Sequence, residues 1–257
     1  MTNSRKSNFA MVLCMLLMCM FLSVPAEANA ANEQTYVVLY KQTSSFTVAS
    51  KELSEESKFG NDVLDTFTGG IKGLEVKLGT DDVTRLKADA SVAVVAPVQT
   101  FVVKPIVQAA APESWGIDRI DQRGLPLNLS YSPKLSGQGV RAYVIDTGVY
   151  QNHPEFVGRI EAGFDAVGDG YGSNDCQGHG THVAGTIGGK TVGVAPGVQI
   201  VPVRVLDCLG FGDTASIISG IEYVINNAKS KGMPAVANLS LGGPTDAAFD
   251  FAIERLI

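Results

Sequence analysis

The sequence predicts an α/β domain with a parallel sheet and flanking helices over residues 110–257, preceded by a small α+β domain over residues 31–109. Two observations predict this order. In the second part, a β-branched run, GVRAYVI at 139–145, ends in a carboxylate and a glycine turn, and functional side chains lie at such carboxyl ends of parallel strands. In the first part, short strand-like and helix-like stretches follow one another as β-α-β-β-α-β, the split βαβ arrangement.

The composition excludes several classes of protein. The 257 residues are 45% hydrophobic and 18% charged, which is typical of a chain that folds around a core and not of a disordered one. The net charge of −6, with no cluster of lysine and arginine, disfavours nucleic acid as a partner. Four cysteines are too few for a small disulfide-rich scaffold, and three histidines are too few for a histidine-rich metal protein.

The first 30 residues are typical of an export signal. Arg5 and Lys6 precede an uncharged apolar run at 9–22, and alanines at 26, 28 and 30 follow as an Ala-x-Ala cleavage site. A membrane anchor is the alternative, but a run of 14 residues is too short to cross a bilayer comfortably. We therefore expect a secreted protein that leaves the membrane after signal removal and folds where disulfides persist.

Residues 31–109 contain neither cysteine nor histidine, and nothing catalytic stands out among them. A helix is expected to begin with Thr80 or Asp81 as its cap, and residues 91–103 are expected to form one closing strand. The stretch at 104–113, rich in alanine and proline, is typical of an exposed linker that a protease cuts. The other strands and the other helix of this domain are expected at 36–40, 63–68, 73–78 and 48–58.

Two motifs of the second part carry polar residues. Asp146 lies within VIDTGV at 144–149, and taken alone it favours a simple turn-capping role. The other motif, GHGTHVAG at 178–185, has three interpretations. His179 and His182 could hold a metal, but no third ligand is at hand, and the glycines could cradle a phosphate, but their spacing is not G-x-G-x-x-G. The third, a functional His179 on the first turn of a helix and facing a catalytic aspartate, is favoured.

Together the two motifs resemble the subtilisin-like serine peptidases, in which an aspartate and a histidine in this order belong to one triad. The resemblance covers residues 110–257, and residues 31–109 resemble the inhibitor propeptide of the family. Further stretches that resemble the family, its proteinase K-like branch in particular, are WGIDRIDQR at 115–123, GVAPGVQIVPVRVLD at 193–207, VRVLDC at 203–208, GFG at 210–212 and NLSLGG at 238–243.

The resemblance implies a subtilisin-like parallel sheet, a ferredoxin-like propeptide domain, and the precursor of a secreted endopeptidase that acts on proteins and peptides. Asp146 would orient His179, which would act as general base toward a serine hydroxyl and then as general acid toward the leaving amine. His182 is expected to be structural, and His153, for which no partner is visible in the sequence, is expected to lie in a surface loop. The substrate cleft would be lined by Gly210, Phe211, Gly212, Ser240, Leu241 and Gly242.

The propeptide is implied to inhibit its own peptidase domain. Its closing strand would lead the tail of the propeptide into the substrate cleft beside residues 210–212, as a product-like β-strand. Release is expected by cleavage between Lys104 and Glu113, centred on residues 107–111 and just before a Trp-Gly pair.

The same branch implies a disulfide and a calcium site. Cys176 and Cys208 are the cysteines left after signal removal, and related bacterial members have cysteines at both positions. Two free thiols, with that of Cys176 reactive near His179, are the alternative. A structural Ca²⁺ is implied near the start of the second part, where ordinary surface carboxylates are the alternative. Its ligands would be Asp118, Asp121, Gln122 and Asn128.

Part of the family's machinery has no counterpart in the sequence. A G-T-S-x-A-x-P motif does not occur, and Ser173 and Ser240 lie in other contexts, a loop before His179 and the wall of the cleft. The oxyanion-hole asparagine has no counterpart either, since Ile257 precedes both expected positions. We therefore expect the amino-terminal part of a preproprotease, ended early and inactive as it stands.

Two other functions stay open at this point. Residues 31–109 could act in trans as a non-enzymatic protease inhibitor or as a folding module. A nucleotide-binding domain is a third interpretation, which the glycine spacing and the export signal disfavour.

Overall fold

The computed structural model describes residues 33–42, 56–57, 59–103 and 115–257. The expected export signal, the expected helix at 48–58 and the expected linker at 104–113 therefore lie wholly or mainly outside the described residues. The helices that are described include none with the length and the apolar character needed to cross a membrane.

The first part is an antiparallel sheet with one helix. It comprises β1 (Gln34–Tyr40), β2 (Val63–Phe67), β3 (Gly73–Leu78), α1 (Thr80–Ala88) and β4 (Val92–Pro97), and the strand order is β2-β3-β1-β4. Side chains of a strand alternate between the two faces of a sheet. Val38 accordingly lies in one apolar cluster with Leu86 of α1, whereas Val37 and Leu39 belong to a cluster shared with the second part.

The expected single strand at 91–103 is wrong, because the structure has two strands there. β4 ends at Pro97, and β5 (Thr100–Val102) leaves the sheet and pairs with a strand of the second part. Pro97 has no N–H to donate to a ladder. The N–H of Gln99 then donates to Thr214 Oγ1 over 2.8 Å, and its carbonyl accepts from the N–H of Thr214 over 3.0 Å. These bonds turn the chain from one sheet toward the other.

The second part is built on a parallel sheet with flanking helices. Its elements are α2 (Trp115–Asp121), β6 (Arg141–Asp146), a 3₁₀ turn (Pro154–Phe156), β7 (Phe164–Asp165), α3 (His179–Gly188), β8 (Gln199–Arg204), β9 (Phe211–Asp213), α4 (Thr214–Lys231), β10 (Ala235–Leu239) and α5 (Ala247–Leu256).

The strand order of the parallel sheet is β10-β6-β8-β7. All six residues of β6 are buried, because helices cover both faces of the sheet. Tyr143 and Ile145 pack in the apolar cluster of α4, and Val144 packs with Ala184 of α3.

Two helix caps differ from the sequence-based expectation. α1 begins at Thr80 directly after Gly79, and within the described residues no side chain caps it. The sequence also indicates Thr245 as the cap of the last helix, but α5 is capped by Asp246, which accepts hydrogen bonds from two N–H groups of the first turn. A carboxylate at this position accepts two amides at once and lies at the positive end of the helix dipole.

One apolar core joins the two parts. Val37, Leu39 and Ile71 of the first part are fully buried in a single cluster with Ile217 and Ile221 of α4. Burial of aliphatic side chains of this size stabilises a fold by about 1.5–3 kcal/mol each. The first part is therefore held on the second by a continuous core as well as by strand pairing.

Candidate active site

Asp146 and His179 lie against each other where β6 ends. Asp146 is the last residue of β6 and His179 the first of α3, and the imidazole Nδ1 lies 2.8 Å from Oδ1 and 2.9 Å from Oδ2 of the carboxylate. The carboxylate is fully buried, and the side chain of His179 is 13% exposed. Because Nδ1 faces the carboxylate, Nε2 is the ring nitrogen left to exchange a proton with another group.

Burial raises the pKa of the Asp146 carboxyl above its ordinary value. Hydrogen bonds from His179 and from the Thr147 N–H, which lies 2.7 Å from Oδ1, oppose this increase, and the negative charge of Asp175 adds to it. A buried carboxylate in contact with one imidazole favours the protonated imidazolium. That is the charge state that a histidine acquires when it acts as general base.

Glycines allow β6 and α3 to approach each other closely. A Cβ on Gly180 would lie 2.1 Å from the carbonyl oxygen of Gly148 and 3.1 Å from Cβ of Asp146, so no side chain fits there. Gly178 has a φ of 108°, in the left-handed region that glycine tolerates, and it turns the chain into α3. Gly180 is therefore required by the backbone contact that brings His179 to Asp146, and Gly178 by the left-handed conformation with which the chain enters α3.

The metal interpretation of the histidine motif gains no support. His182 is exposed on α3, and the described part of the chain contains no group of three or more His, Cys, Asp or Glu that could hold a metal ion. His153 has a local partner that was not visible in the sequence. Its Nδ1 accepts from the N–H of Glu155 over 3.3 Å and caps the 3₁₀ turn that follows.

A groove in the second part is filled by β5 of the first part. β5 pairs antiparallel with β9, with Val102 opposite Phe211, and the Val103 N–H donates to the carbonyl of Gly210 over 3.1 Å. On the other side, the Val102 N–H donates to the carbonyl of Gly242 over 3.2 Å. The segment is thus an added strand between two walls, a common way for a groove to hold an extended peptide.

The predicted cleft residues belong to these two walls. Residues 210–212 form one wall, and Gly242 contributes to the other. Ser240 lies two residues before Gly242, and its Oγ accepts from Nδ2 of Asn238 over 2.9 Å. Leu241 is half-buried against the large apolar core.

Phe101 anchors β5 in the groove. Its side chain is 2% exposed, and its ring centroid lies 5.4 Å from that of Phe249 on α5. A Cβ on Gly243 would come within 2.6 Å of the Phe101 ring, so the ring lies directly on the backbone of that wall. The groove therefore takes a large apolar side chain at this position.

A second anchor joins the turn after β2 to α4. Glu222 accepts from the Gly69 N–H, and the Gly70 N–H donates to Asn226 Oδ1 over 3.1 Å. Burial raises the pKa of the Glu222 carboxyl, and backbone hydrogen bonds from the turn oppose this increase. A Cβ added to Gly69 would lie 2.1 Å from Asn226 Nδ2, the end of a side chain that can move, whereas a Cβ added to Gly70 would lie 2.4 Å from Cγ2 of Ile225. The turn therefore needs glycine at position 70 to reach the helix.

Gly70→Ala is expected to lower the melting temperature of the full chain. Ile225 is 5% exposed and fixed in α4, so the added methyl group must push the turn away from the helix. Overpacking of this kind costs about 1–3 kcal/mol, and each kcal/mol corresponds to about 2–4 °C for a chain of this size. Gly79→Ala is the matched control, because its Cβ would meet no atom nearer than 4.0 Å. Calorimetry with equal melting temperatures for both variants would contradict the role of this contact.

Cys176 and Cys208 form a disulfide, the pairing that the resemblance implied. It joins the loop before α3 to the loop before β9. Nη2 of the fully buried Arg204 lies 3.4 Å from Sγ of Cys176. Asp169 pairs with the same guanidinium over 2.6 and 2.7 Å, and this hydrogen bonding lowers the pKa of the Asp169 carboxyl to about 2. The disulfide and the ion pair together tie the segment that leads to His179 to one wall of the groove.

The four predicted calcium ligands lie on α2 and in the loop after it. Asp118 is 4% exposed, and its Oδ2 accepts from a backbone N–H of that loop over 2.7 Å, whereas its Oδ1 has no hydrogen-bond partner among the described residues. Asp121 and Asn128 each accept from one backbone N–H, and Gln122 donates to two backbone carbonyls. Asp118 therefore offers a buried carboxylate oxygen that a cation would satisfy.

Three residues that shape this region were not identified from the sequence. Asp175 accepts five hydrogen bonds around the start of α3. Arg204 is a buried charge within a strand, and Glu222 receives a turn from 153 positions away. Asp175 alone had a usable signal, since a carboxylate shortly before a helix is typical of a cap. The other two depend on contacts between distant segments.

Known proteins are similar to this chain in sequence and in fold. Residues 137–255 match the subtilase family. The chain is 46% identical over 194 residues to an extracellular serine proteinase of Thermus sp. (strain Rt41A), a match that covers 74% of this chain and 45% of that protein. It is 40% identical over 244 residues to alkaline serine exoprotease A of Vibrio alginolyticus, with 90% of this chain and 45% of that protein covered.

A solved structure shares the fold. Fervidolysin from Fervidobacterium pennivorans, described as a keratinolytic enzyme related to subtilisin, superposes with a TM-score of 0.63 over 88% of this chain and 38% of that chain. At 23% identity this likeness concerns the fold alone. The chain spans less than half of the length of the two relatives from Thermus and Vibrio.

Proposed function

The chain belongs to the subtilase family, and we propose that it is part of the precursor of a secreted serine endopeptidase. In this proposal residues 31–109 are the inhibitory propeptide, and residues 110–257 are the amino-terminal part of the peptidase domain. The names of the two relatives, extracellular proteinase and exoprotease, support secretion, as does the export signal expected at residues 1–30. The substrates are proteins and peptides.

The observation that carries this proposal is the occupied groove in the domain that holds the Asp146–His179 pair. β5 lies in it as an extended strand with hydrogen bonds to Gly210 on one wall and Gly242 on the other. A peptidase binds the backbone of its substrate in the same manner. After Val103 the chain continues into residues 104–114, where the sequence predicts cleavage. We infer that β5 occupies the groove as a bound product does.

The roles of the pair follow from its geometry. Asp146 accepts the Nδ1–H of His179 and stabilises the imidazolium, while Nε2 takes a proton from a serine hydroxyl and later gives it to the leaving amine. Among the described residues, no hydroxyl makes a hydrogen bond with Nε2. Ser240 Oγ accepts from an asparagine, and Ser173 Oγ accepts from Gln151 Nε2 over 3.2 Å. We propose that residues 1–257 hold the acid–base members of the triad and not its nucleophile.

A chimera tests this proposal. Residues 33–257 replace the matching segment of the Vibrio alginolyticus exoprotease, and the secreted product is assayed with a chromogenic peptide. We expect turnover in the chimera, its loss on His179→Ala, and its retention on His153→Ala, since His153 only caps a local turn. A chimera that folds and is secreted but does not cleave the peptide would contradict the proposed function.

A second candidate function, inhibition or assisted folding by residues 31–109, is favoured by the two anchors of the first part. Phe101 is buried in the groove, and the turn at Gly69 and Gly70 packs so closely on α4 that an added Cβ would overlap side chains of that helix. Residues 31–109 made as a separate polypeptide are expected to inhibit the chimera at micromolar concentration. Absence of inhibition at that concentration would contradict this function and leave turnover as the only activity to explain.

We also propose that Asp118, together with Asp121, Gln122 and Asn128, holds a structural Ca²⁺. The buried Oδ1 of Asp118, without a partner among the described residues, supports this, because Ca²⁺ prefers oxygen ligands. The ion would connect α2 to the loop that follows it.

Calcium is therefore expected to raise the melting temperature of the chelator-treated full chain. A ligand at 100 times its Kd stabilises by about 2.7 kcal/mol, which corresponds to several degrees here. Asp118→Asn is expected to abolish the increase, whereas Asp250→Asn, at an exposed carboxylate of α5, is expected to retain it. A parent chain that melts at the same temperature with and without Ca²⁺ would rule the site out.

A further inference from the structure

Asp175 lies in the loop before α3 and holds the start of that helix. Its Oδ1 accepts from the N–H of Gln177 over 2.9 Å and from that of Gly178 over 2.8 Å. Its Oδ2 accepts from the N–H of Thr181 over 2.9 Å and from the hydroxyl of the same residue over 2.5 Å. Gly178, which precedes α3, has no side chain to cap it. The carboxylate of Asp175 therefore supplies the cap, at the positive end of the helix dipole.

The same carboxylate reaches the strand that carries the other member of the pair. The hydroxyl of Thr147 donates to Asp175 Oδ1 over 2.9 Å and accepts from the N–H of Gly180 over 2.9 Å. The N–H of Thr147 donates to Oδ1 of Asp146 over 2.7 Å. Asp175 and Thr147 thus bridge the end of β6 and the first turn of α3, on either side of the contact between Asp146 and His179.

Asp175 also adds a second negative charge near the pair. It contributes to the raised pKa of Asp146, so its charge acts at this distance. The cation nearby is Arg204 of β8, and in the described part of the chain this guanidinium forms its ion pairs with Asp165 and Asp169. The charge of Asp175 also contributes to the raised pKa of Arg204, so it acts on this cation as well as on Asp146.

We propose that Asp175 is a positioning residue for the Asp146–His179 pair. Its hydrogen bonds fix the first turn of α3 against the end of β6 and so hold His179 in contact with Asp146. The consequence for turnover rests on the proposed peptidase function, whereas the effect on His179 concerns the full chain alone. Asparagine replaces one of the two accepting oxygens by an NH₂ group that faces other donors, whereas glutamate keeps both oxygens in a longer side chain.

Histidine-selective NMR of the full chain tests this, since the sequence has only three histidines. In Asp175→Asn we expect the Nδ1–H proton that Asp146 accepts to exchange faster with solvent than in the parent, because the first turn of α3 is no longer held against β6. In Asp175→Glu we expect faster exchange of the Gly178 and Thr181 amides as well, because the longer side chain misplaces both oxygens. A purely structural role of Asp175 would lower the melting temperature without changing the exchange of the Nδ1–H proton.

Asp207→Asn is the matched control. Asp207 also accepts two loop amides, from Leu209 over 2.8 Å and from Phe211 over 2.9 Å, and in the described part of the chain it bonds to neither β6 nor α3. We expect its variant to leave the exchange of the His179 Nδ1–H proton unchanged. Exchange as slow in Asp175→Asn as in the parent, or equally faster in both variants, would overturn the inference.

Thr147→Val keeps the test decisive if Asp175→Asn does not fold. It removes the hydroxyl bridge and leaves Asp175 itself in place, so faster Nδ1–H exchange is expected. Exchange as slow as in the parent would overturn the positioning role.

Turnover of the chimera separates this inference from the proposed function. In an active chimera, Asp175→Asn is expected to lower kcat by about 10-fold to 100-fold with little change in KM, as small misplacements of a reacting group do. An active chimera with an unchanged kcat in this variant overturns the inference alone. An inactive parent chimera contradicts the proposed function alone, because the exchange measurement on His179 needs no turnover.

Discussion

A polypeptide of residues 1–257 is expected to hydrolyse a chromogenic peptide no faster than buffer does. Asp146 and His179 form a base with its orienting carboxylate, but a base acts in this mechanism only through a nucleophile. Loss of the serine of such a triad lowers turnover by about 10⁶-fold. Loss of an oxyanion-hole donor lowers it by about 10²–10³-fold, and the asparagine that fills this role in the family has no counterpart here.

The measurement is an assay of the purified full chain with and without a serine-directed phosphonate label. The active chimera is the control for the substrate and for the label. Turnover of the full chain together with stoichiometric labelling would contradict the prediction. The search for the nucleophile would then begin at Ser240 and Ser173, whose hydroxyls accept from Asn238 and Gln151 in the present structure.

The strand and the helix that carry the candidate site could be predicted because each has a strong local signal. A β-branched run leads to Asp146, and glycines flank His179 at the start of a helix. The two residues are 33 positions apart in the chain. A carboxylate at a strand end and a histidine at a helix start nevertheless meet at the same edge of a parallel sheet. Local patterns therefore placed each residue at this edge of the sheet, and the resemblance to the subtilisin-like peptidases was needed to assign the two to one site.

The course of residues 91–103 could not be predicted in the same way. The run is rich in valine throughout, and β-propensity does not reveal which partner a strand pairs with. The break after Pro97 depends on Thr214, and the pairing of β5 depends on β9, both more than 100 positions away. Glu222 is a similar case, because a carboxylate on a helix surface has no local sign that a turn will dock on it. The sequence patterns therefore did not predict the contacts between the two parts.

Asp146→Asn is expected to lower the turnover of the active chimera by about 10⁴-fold and yet to raise the melting temperature of the full chain, residues 1–257, at about pH 8. The loss of turnover follows because an amide neither fixes the Nδ1–H tautomer of His179 nor stabilises the imidazolium. The gain in stability follows because the carboxylate is fully buried, and keeping a buried group ionised costs free energy. A site built for catalysis in this way lowers the stability of the fold that holds it.

The direction of the pH dependence follows from the raised pKa of Asp146. A carboxyl whose pKa is higher in the folded than in the unfolded chain binds its proton more tightly when folded. Its contribution to stability is therefore full below its ordinary pKa and is lost as the pH rises through the raised value. Asparagine is uncharged at every pH, so the variant and the parent are expected to melt alike at about pH 3 and to diverge above it.

Thermal unfolding of both proteins between about pH 3 and pH 8 measures this divergence. Asp62→Asn, at a carboxylate whose side chain is 70% exposed, is the control and is expected to follow the parent at every pH. A variant that melts below the parent at about pH 8 would contradict the prediction. It would mean that the hydrogen bonds from His179 and Thr147 outweigh the cost of burying the charge, so that the ionised pair stabilises the fold that holds it.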